Sequence, residues 1–240
     1  MCEVDCRLAC NERESINKFR VIQANLRQQD LPYFTPKEVV VHNTPDDCWV
    51  SFLGIVRDLT PLVRQYEGTR EIKPILAYAG KDISHWFDTR TGDIVHRIHP
   101  VTGVRVPYTP HGPVPHVLLE VPTTEWMPLY SIPWWFNPAY VVGYVTRAAR
   151  YVRIMNVLAK TEVVTEVCSE DTLERILERH LMSNSHSESY TWKSEGQVLN
   201  MKLTLDQNGI PDPIPRLRAV NLPDDYFIPC LMLYFNDDLT

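Results

Sequence analysis

The chain has 240 residues, with 24 Lys and Arg against 30 Asp and Glu and a net charge of -6. That length suits two small domains, each able to bury a core, and the acidic balance excludes a partner gripped by its phosphate backbone, so no nucleic acid is expected. Apolar runs such as Ile228 to Phe235 are far too short to cross a bilayer, and no apolar signal core opens the chain; a cytoplasmic protein with no membrane partner is expected. The cysteines fall at 2, 6, 10, 48, 168 and 230 and make no disulfide framework in such a chain. Cys2, Cys6 and Cys10 share one helical face, but their even spacing fits no structural zinc pattern.

Within residues 1–30, Ile16, Phe19, Ile22 and Leu26 recur at helical spacing in a charged stretch. They predict an amphipathic helix that either packs on the domain that follows or lies on a partner. Thr35-Pro36-Lys37-Glu38 is a helix start, with Thr35 as cap, Pro36 in the first turn and Glu38 placed for a capping box. Pro45 ends that helix near Asn43. Cys48 to Leu53 reads as a strand, Gly54 turns it, and Ile55 to Leu59 returns. Thr60-Pro61 starts the next helix.

His42-Asn43-Thr44-Pro45-Asp46-Asp47-Cys48-Trp49-Val50, then Val56-Arg57-Asp58-Leu59-Thr60-Pro61, then Ala79-Gly80-Lys81-Asp82 through Trp86-Phe87, resemble the cytochrome b5 family over residues 31–99. The resemblance implies a b5-like domain over 31–106 with a heme crevice. It also implies a structural turn, not a metal pair, at Asp46-Asp47. Where the family carries His-Pro-Gly-Gly, this chain reads Tyr66-Glu67-Gly68-Thr69, so Tyr66 stands at the first axial position. The second axial histidine would fall at Thr91-Gly92-Asp93, which offers no ligand in register.

Residues 94–99 then alternate as a strand, with Ile94, His96 and Ile98 on one face, and Val104 to Val106 return as a hairpin. His96 is therefore the histidine expected to point toward an apolar pocket, either as a hydrogen-bonded core residue or as a ligand. On the resemblance, Tyr66 and His96 are the expected axial ligands of a heme b iron, with His85 or His99 as substitutes for His96. A phenolate is an anionic oxygen donor, so the ferric form is favoured and the potential is low. The alternative is a Tyr66 that packs in an empty pocket.

Prolines recur through the connector at 107–146, interleaved with Trp126, Tyr130, Trp134, Trp135, Phe136 and Tyr140. Extended backbone with large rings needs a surface to bury them. Either the segment wraps the chain's own domains, or Trp134 and Trp135 anchor a partner. His111 and His116 lie in this stretch, where no fixed geometry is expected of them.

From 147 to 240 the order is strand, strand, a helix opened by Ser169-Glu170-Asp171-Thr172-Leu173, Tyr190-Thr191-Trp192-Lys193, Gln197-Val198-Leu199, and a last strand, Cys230 to Phe235. This resembles the ubiquitin-like β-grasp family. The sequence closes on Asn236-Asp237-Asp238-Leu239-Thr240 without a glycine pair, so an interaction module and not a conjugated tag is expected. The fold class is α+β: a cytochrome b5-like heme-binding fold followed by a ubiquitin-like β-grasp domain. No phosphate loop, nucleophile elbow or HExxH pair is present, and no enzyme is expected.

The whole chain is similar to a family of b5-domain proteins of motile cilia. That resemblance implies an axonemal protein whose partners are radial-spoke and doublet-microtubule proteins, supporting coordinated beating with a redox-sensitive heme. A soluble b5-type electron carrier and a cytosolic ubiquitin-like adaptor are the alternatives.

Overall fold

The computed structural model describes residues 16–26, 30–117, 132–181 and 190–235. Cys2, Cys6, Cys10, Trp126 and Tyr130 lie outside them. The chain divides into two compact units between Val145 and Thr146.

In the first unit, helix α1 (16–26) follows its apolar spacing. It lays Phe19 and Ile22 on the core and buries Leu26, so it packs on its own domain. A Cβ on Gly92 would fall 2.2 Å from the Phe19 ring, and its φ of +68° favours glycine. After β1 (Tyr33–Phe34), helix α2 (Pro36–Val41) opens on the complete capping box. The Glu38 amide donates to Thr35 Oγ1 at 3.3 Å, and the Thr35 amide donates to Glu38 Oε2 at 2.7 Å. Strands β2 (Asn43–Thr44), β3 (Asp47–Phe52) and β4 (Ile55–Asp58) then pair antiparallel.

Helix α3 (Thr60–Gln65) begins one residue earlier than its cap signal. Leu59 is the cap, and Thr60 Oγ1 instead accepts from the Cys48 amide at 3.0 Å, tying the helix to β3. Helix α4 (Lys73–Ala77) follows. Residues 79–87, the stretch that resembles a helix of the b5 family, hold a single 3-10 turn, Ser84–Trp86, and ahead of it Asp82 Oδ1 accepts from the Ser84 amide at 2.9 Å. β5 (His96–Ile98) and β6 (Arg105–Pro107) form the hairpin. The expected apolar face breaks up along it: Ile94 is buried, His96 half-buried and Ile98 64 % exposed. The ribbon pairs only with itself, so its tip has no layer to lie on.

Of the segment 107–146, expected as a connector, the described part up to Val145 falls in the first unit. Residues 134–136 form a 3-10 turn whose three aromatic side chains are all buried in the core of the first unit. Strand β7 (Val141–Val145) then enters the sheet, giving the order β1-β7-β4-β3-β2. It runs parallel to β1 and antiparallel to β4. Of the two readings offered for Trp134 and Trp135, internal packing is the one found.

The second unit holds β8 (Ala149–Asn156), β9 (Thr161–Cys168), α5 (Leu173–Leu181), β10 (Tyr190–Ser194), β11 (Gln197–Val198), α6 (Ile214–Ala219) and β12 (Cys230–Phe235). The sheet order is β11-β10-β12-β8-β9, with β12 parallel to β8 and the other pairs antiparallel. Alternation sends Val152, Ile154, Trp192, Leu231 and Leu233 to one face, where Leu173 and Ile176 of α5 join them in one core. Helix α6, with Pro215 in its first turn, was not foreseen from the sequence.

Candidate functional site

Tyr66 is the residue on which α3 ends, its amide donating to the Leu62 carbonyl at 3.1 Å. The phenol is half-buried against the first core. Burial first, then Glu71 and Tyr140, holds its pKa above the ordinary value, so it is a neutral phenol at physiological pH. Its ring meets that of His116 edge-on, with centroids 5.9 Å apart. Burial lowers the pKa of His116, so that imidazole is neutral. Its Nδ1 accepts from the Trp134 amide at 3.0 Å.

Trp134 is fully buried, edge-on to Phe52 at 5.8 Å and to Phe87 at 5.9 Å. Its indole donates to the Pro115 carbonyl at 3.2 Å. Trp135 stands 5.6 Å from Trp134, and its indole donates to Asp93 Oδ1 at 3.0 Å. A continuous run of contacts thus joins Tyr66, His116, Trp134, Trp135 and Asp93. It begins at the tyrosine that the b5 resemblance sets at the first ligand position and ends in the turn where that resemblance sets the second.

His96 lines a crevice of about 230 Å³ with His116, Ile94 and Trp135, and Tyr66 does not line it. Tyr66 and His96 therefore each neighbour His116 without sharing that crevice. The substitutes for His96 are employed elsewhere. His99 Nδ1 accepts from the amides of Val101 and Thr102, closing the hairpin turn. His85 is exposed beside Tyr78 and His111, in a surface group whose rings lie 5.2 to 5.7 Å apart.

His116 is the residue sequence reasoning missed. Its geometry is fixed by Trp134, 18 positions away, and no local pattern announces that pairing. Asp47 Oδ2 accepts from His42 Nδ1 at 2.6 Å, and His42 stacks on Trp49 at 3.6 Å, so the Asp46-Asp47 turn is structural. The Cys48 thiol is pushed up to about 12, by burial first and then by Asp58 and Asp47, and is inert as a nucleophile. Among the described residues, no three His, Cys, Asp or Glu side chains gather as a metal site.

The donors present, a tyrosine oxygen and imidazole nitrogens, suit ferric iron. The space does not suit a heme. Ligand pockets begin at about 300 Å³, the crevice beside His96 is smaller, and Trp134 fills the interior between Phe52 and Phe87. In this arrangement a macrocycle does not fit between Tyr66 and His96.

Residues 35–109 match the family model described as a cytochrome b5-like heme/steroid binding domain. The first unit is therefore a cytochrome b5-like domain of α+β architecture. Similarity extends well past it. The chain is 45 % identical to the cytochrome b5 domain-containing protein 1 of Xenopus laevis, over 87 % of this chain and 96 % of that one. It is 45 % identical to the human protein of that name and 44 % to the mouse one, in each case over 87 % of this chain and 91 % of theirs. The chain belongs to the cytochrome b5 domain-containing protein 1 family. No helix among the described residues is long and apolar enough to cross a membrane.

Proposed function

We propose that the chain is a non-enzymatic component of the ciliary axoneme, docked at radial spokes against spoke and doublet-microtubule proteins, where it supports coordinated beating. The filled crevice carries the reading of a scaffold and not of an electron carrier. A shuttle holds its heme ready in both oxidation states, whereas here Trp134 occupies the interior and is 0 % exposed.

The second unit enters this proposal as a ubiquitin-like β-grasp interaction module. Its support is the strand order, with β12 central and parallel to β8, and α5 packed on the inner face. Register sets Met155 and Met232 side by side on the opposite face. Around them stand the Arg153–Glu162 pair, 3.1 Å apart, and Lys193, 4.8 Å from the Tyr234 ring. Were heme b to bind in its ferric form, Tyr66 and His96 would be the residues to hold its iron, and the aromatic residues between them would first have to move.

A tagged chain, expressed in motile ciliated cells that lack their own copy, tests the location. It is expected to stay with detergent-washed axonemes and to be lost from axonemes that lack spokes. Retention without spokes contradicts the spoke assignment, and complete release by detergent contradicts the axonemal one.

A further inference from the structure

We propose that Tyr78, His85 and His111 form a divalent-metal site on the surface of the first unit, and that zinc is the ion it fits, held by two imidazole nitrogens and one phenol oxygen with water at the fourth corner. The three residues come from three separate segments. Tyr78 is the residue on which α4 ends, and His85 sits inside the 3-10 turn at 84–86. His111 lies in the turn closed by the Gly112 amide, which donates to the Thr109 carbonyl at 3.2 Å. Only the fold brings them together. The third donor is a phenol, which sets this group apart from any cluster made of His, Cys, Asp and Glu alone.

The spacing is that of two ligands and not of a tight hydrogen bond. Tyr78 Oη and His111 Nδ1 stand 3.3 Å apart. A hydroxyl that donates well approaches its acceptor to about 2.8 Å, whereas two donors held about 2.0–2.1 Å from a tetrahedral ion lie about 3.3 Å from each other. Neighbouring corners of a square-planar copper site would be closer, at about 2.8 Å, so the pair favours zinc. Two imidazoles on one tetrahedral ion have ring centroids about 5 Å apart. Those of His85 and His111 are 5.3 Å apart, with their planes at 88°. The Tyr78 ring is 5.2 Å from His111 and 5.7 Å from His85. Buried Trp86 holds two of the three in place, stacking on His111 at 5.2 Å and meeting Tyr78 edge-on at 5.2 Å. His85 is exposed, so turning its ring to complete the site is a surface rotamer change. Burial, then His85, keeps the His111 imidazole below its ordinary pKa, so its lone pair is available at physiological pH. On binding, the Tyr78 proton leaves to solvent and the oxygen joins the ion as a phenolate, which Lys81 Nζ, 5.7 Å from the ring centre, helps to stabilise.

Zinc titration of the full chain, followed by NMR of the imidazole groups, should shift the His85 and His111 signals along one binding curve. A phenolate band should rise in the near ultraviolet with the same curve, and one proton should be released per ion at this site. Zinc held elsewhere in the chain leaves these two imidazole signals where they are. An outer-shell partner is worth about 10–100-fold in metal affinity, so His85→Ala should weaken the binding read at His111 by about a hundredfold, and His111→Ala the binding read at His85 by as much. Tyr78→Phe keeps the ring against Trp86 and should weaken binding by about tenfold, with the phenolate band and the proton release lost. A shift of one imidazole alone, or an unweakened curve at His111 in His85→Ala, overturns the shared site. Equal affinity and equal proton release in Tyr78→Phe and the unaltered chain overturn the three-donor assignment. No shift of either signal at millimolar zinc overturns the proposal outright.

Discussion

Arg57 and Arg150 are both buried in strands, and only one of them is compensated. Arg150 donates to Asp206 Oδ1 at 2.9 Å and to the Ile210 carbonyl at 2.7 Å, closing the second unit around a charge pair. Arg57 donates to the Trp135 carbonyl and stacks over Phe52 at 3.9 Å, but among the described residues its Nε and Nη1 have no partner. Burial pushes its pKa down to about 9, so at neutral pH it is a desolvated cation that a ring face offsets only in part. Replacing Arg57 by Met should therefore stabilise the first unit by about 1 kcal/mol, the desolvation relieved exceeding the one hydrogen bond lost. For a chain of this size the melting midpoint should rise by about 2–4 °C. The sign with pH follows from the lowered pKa. The folded state releases its proton near 9 while the unfolded chain holds it to a much higher pH, so the unaltered protein gains stability above pH 9 and the advantage of Arg57→Met shrinks there. A midpoint that falls at neutral pH would mean that the bond to Trp135 outweighs the buried charge.

Elements whose signals are local were legible in the sequence, and those that depend on distant partners were not. The capping box of α2 lies within four residues, and the register of β3 with β4 follows from the two-residue turn between Phe52 and Ile55. β7 has no such neighbour. Its partners are Ile55 to Arg57 and β1, more than 80 residues earlier, and nothing in the proline-rich run before it announces a return to the sheet. Gly143 marks the place, because a Cβ there would lie 2.3 Å from the Pro32 carbonyl oxygen and 2.6 Å from the Phe34 ring. Backbone does not yield as a side-chain tip does, so Gly143→Ala should cost about 2–3 kcal/mol through displacement of β1 or β7. Differential scanning calorimetry should show the transition of the first unit falling and that of the second unchanged. Equal shifts in both would mean that the units unfold as one, and no shift would mean that β7 is not the inner strand.

At the scale of the whole molecule, the placement of the boundary at Val145 and not near Pro107 gives the first unit its tryptophan core from the far end of its own sequence. A chain ending at residue 106 should therefore fail to give a cooperative melt, whereas one ending at 145 should fold; a cooperative melt of the shorter chain would return 107–145 to the role of connector. Tyr66 and Asp93, which the b5 resemblance sets near its two ligand positions, stand at the two ends of one chain of contacts. What lies between them was hidden, since Trp134 and His116 acquire their roles only through each other. The most direct test of a crevice filled from within is hydrogen exchange of the indole N–H groups, observed by NMR in the heme-free chain labelled at tryptophan. The buried and bonded indoles of Trp134 and Trp135 should be protected by about a thousandfold or more over a free indole, as expected for groups that open only with a core. Exchange of both at the rate of a free indole would contradict a crevice filled from within.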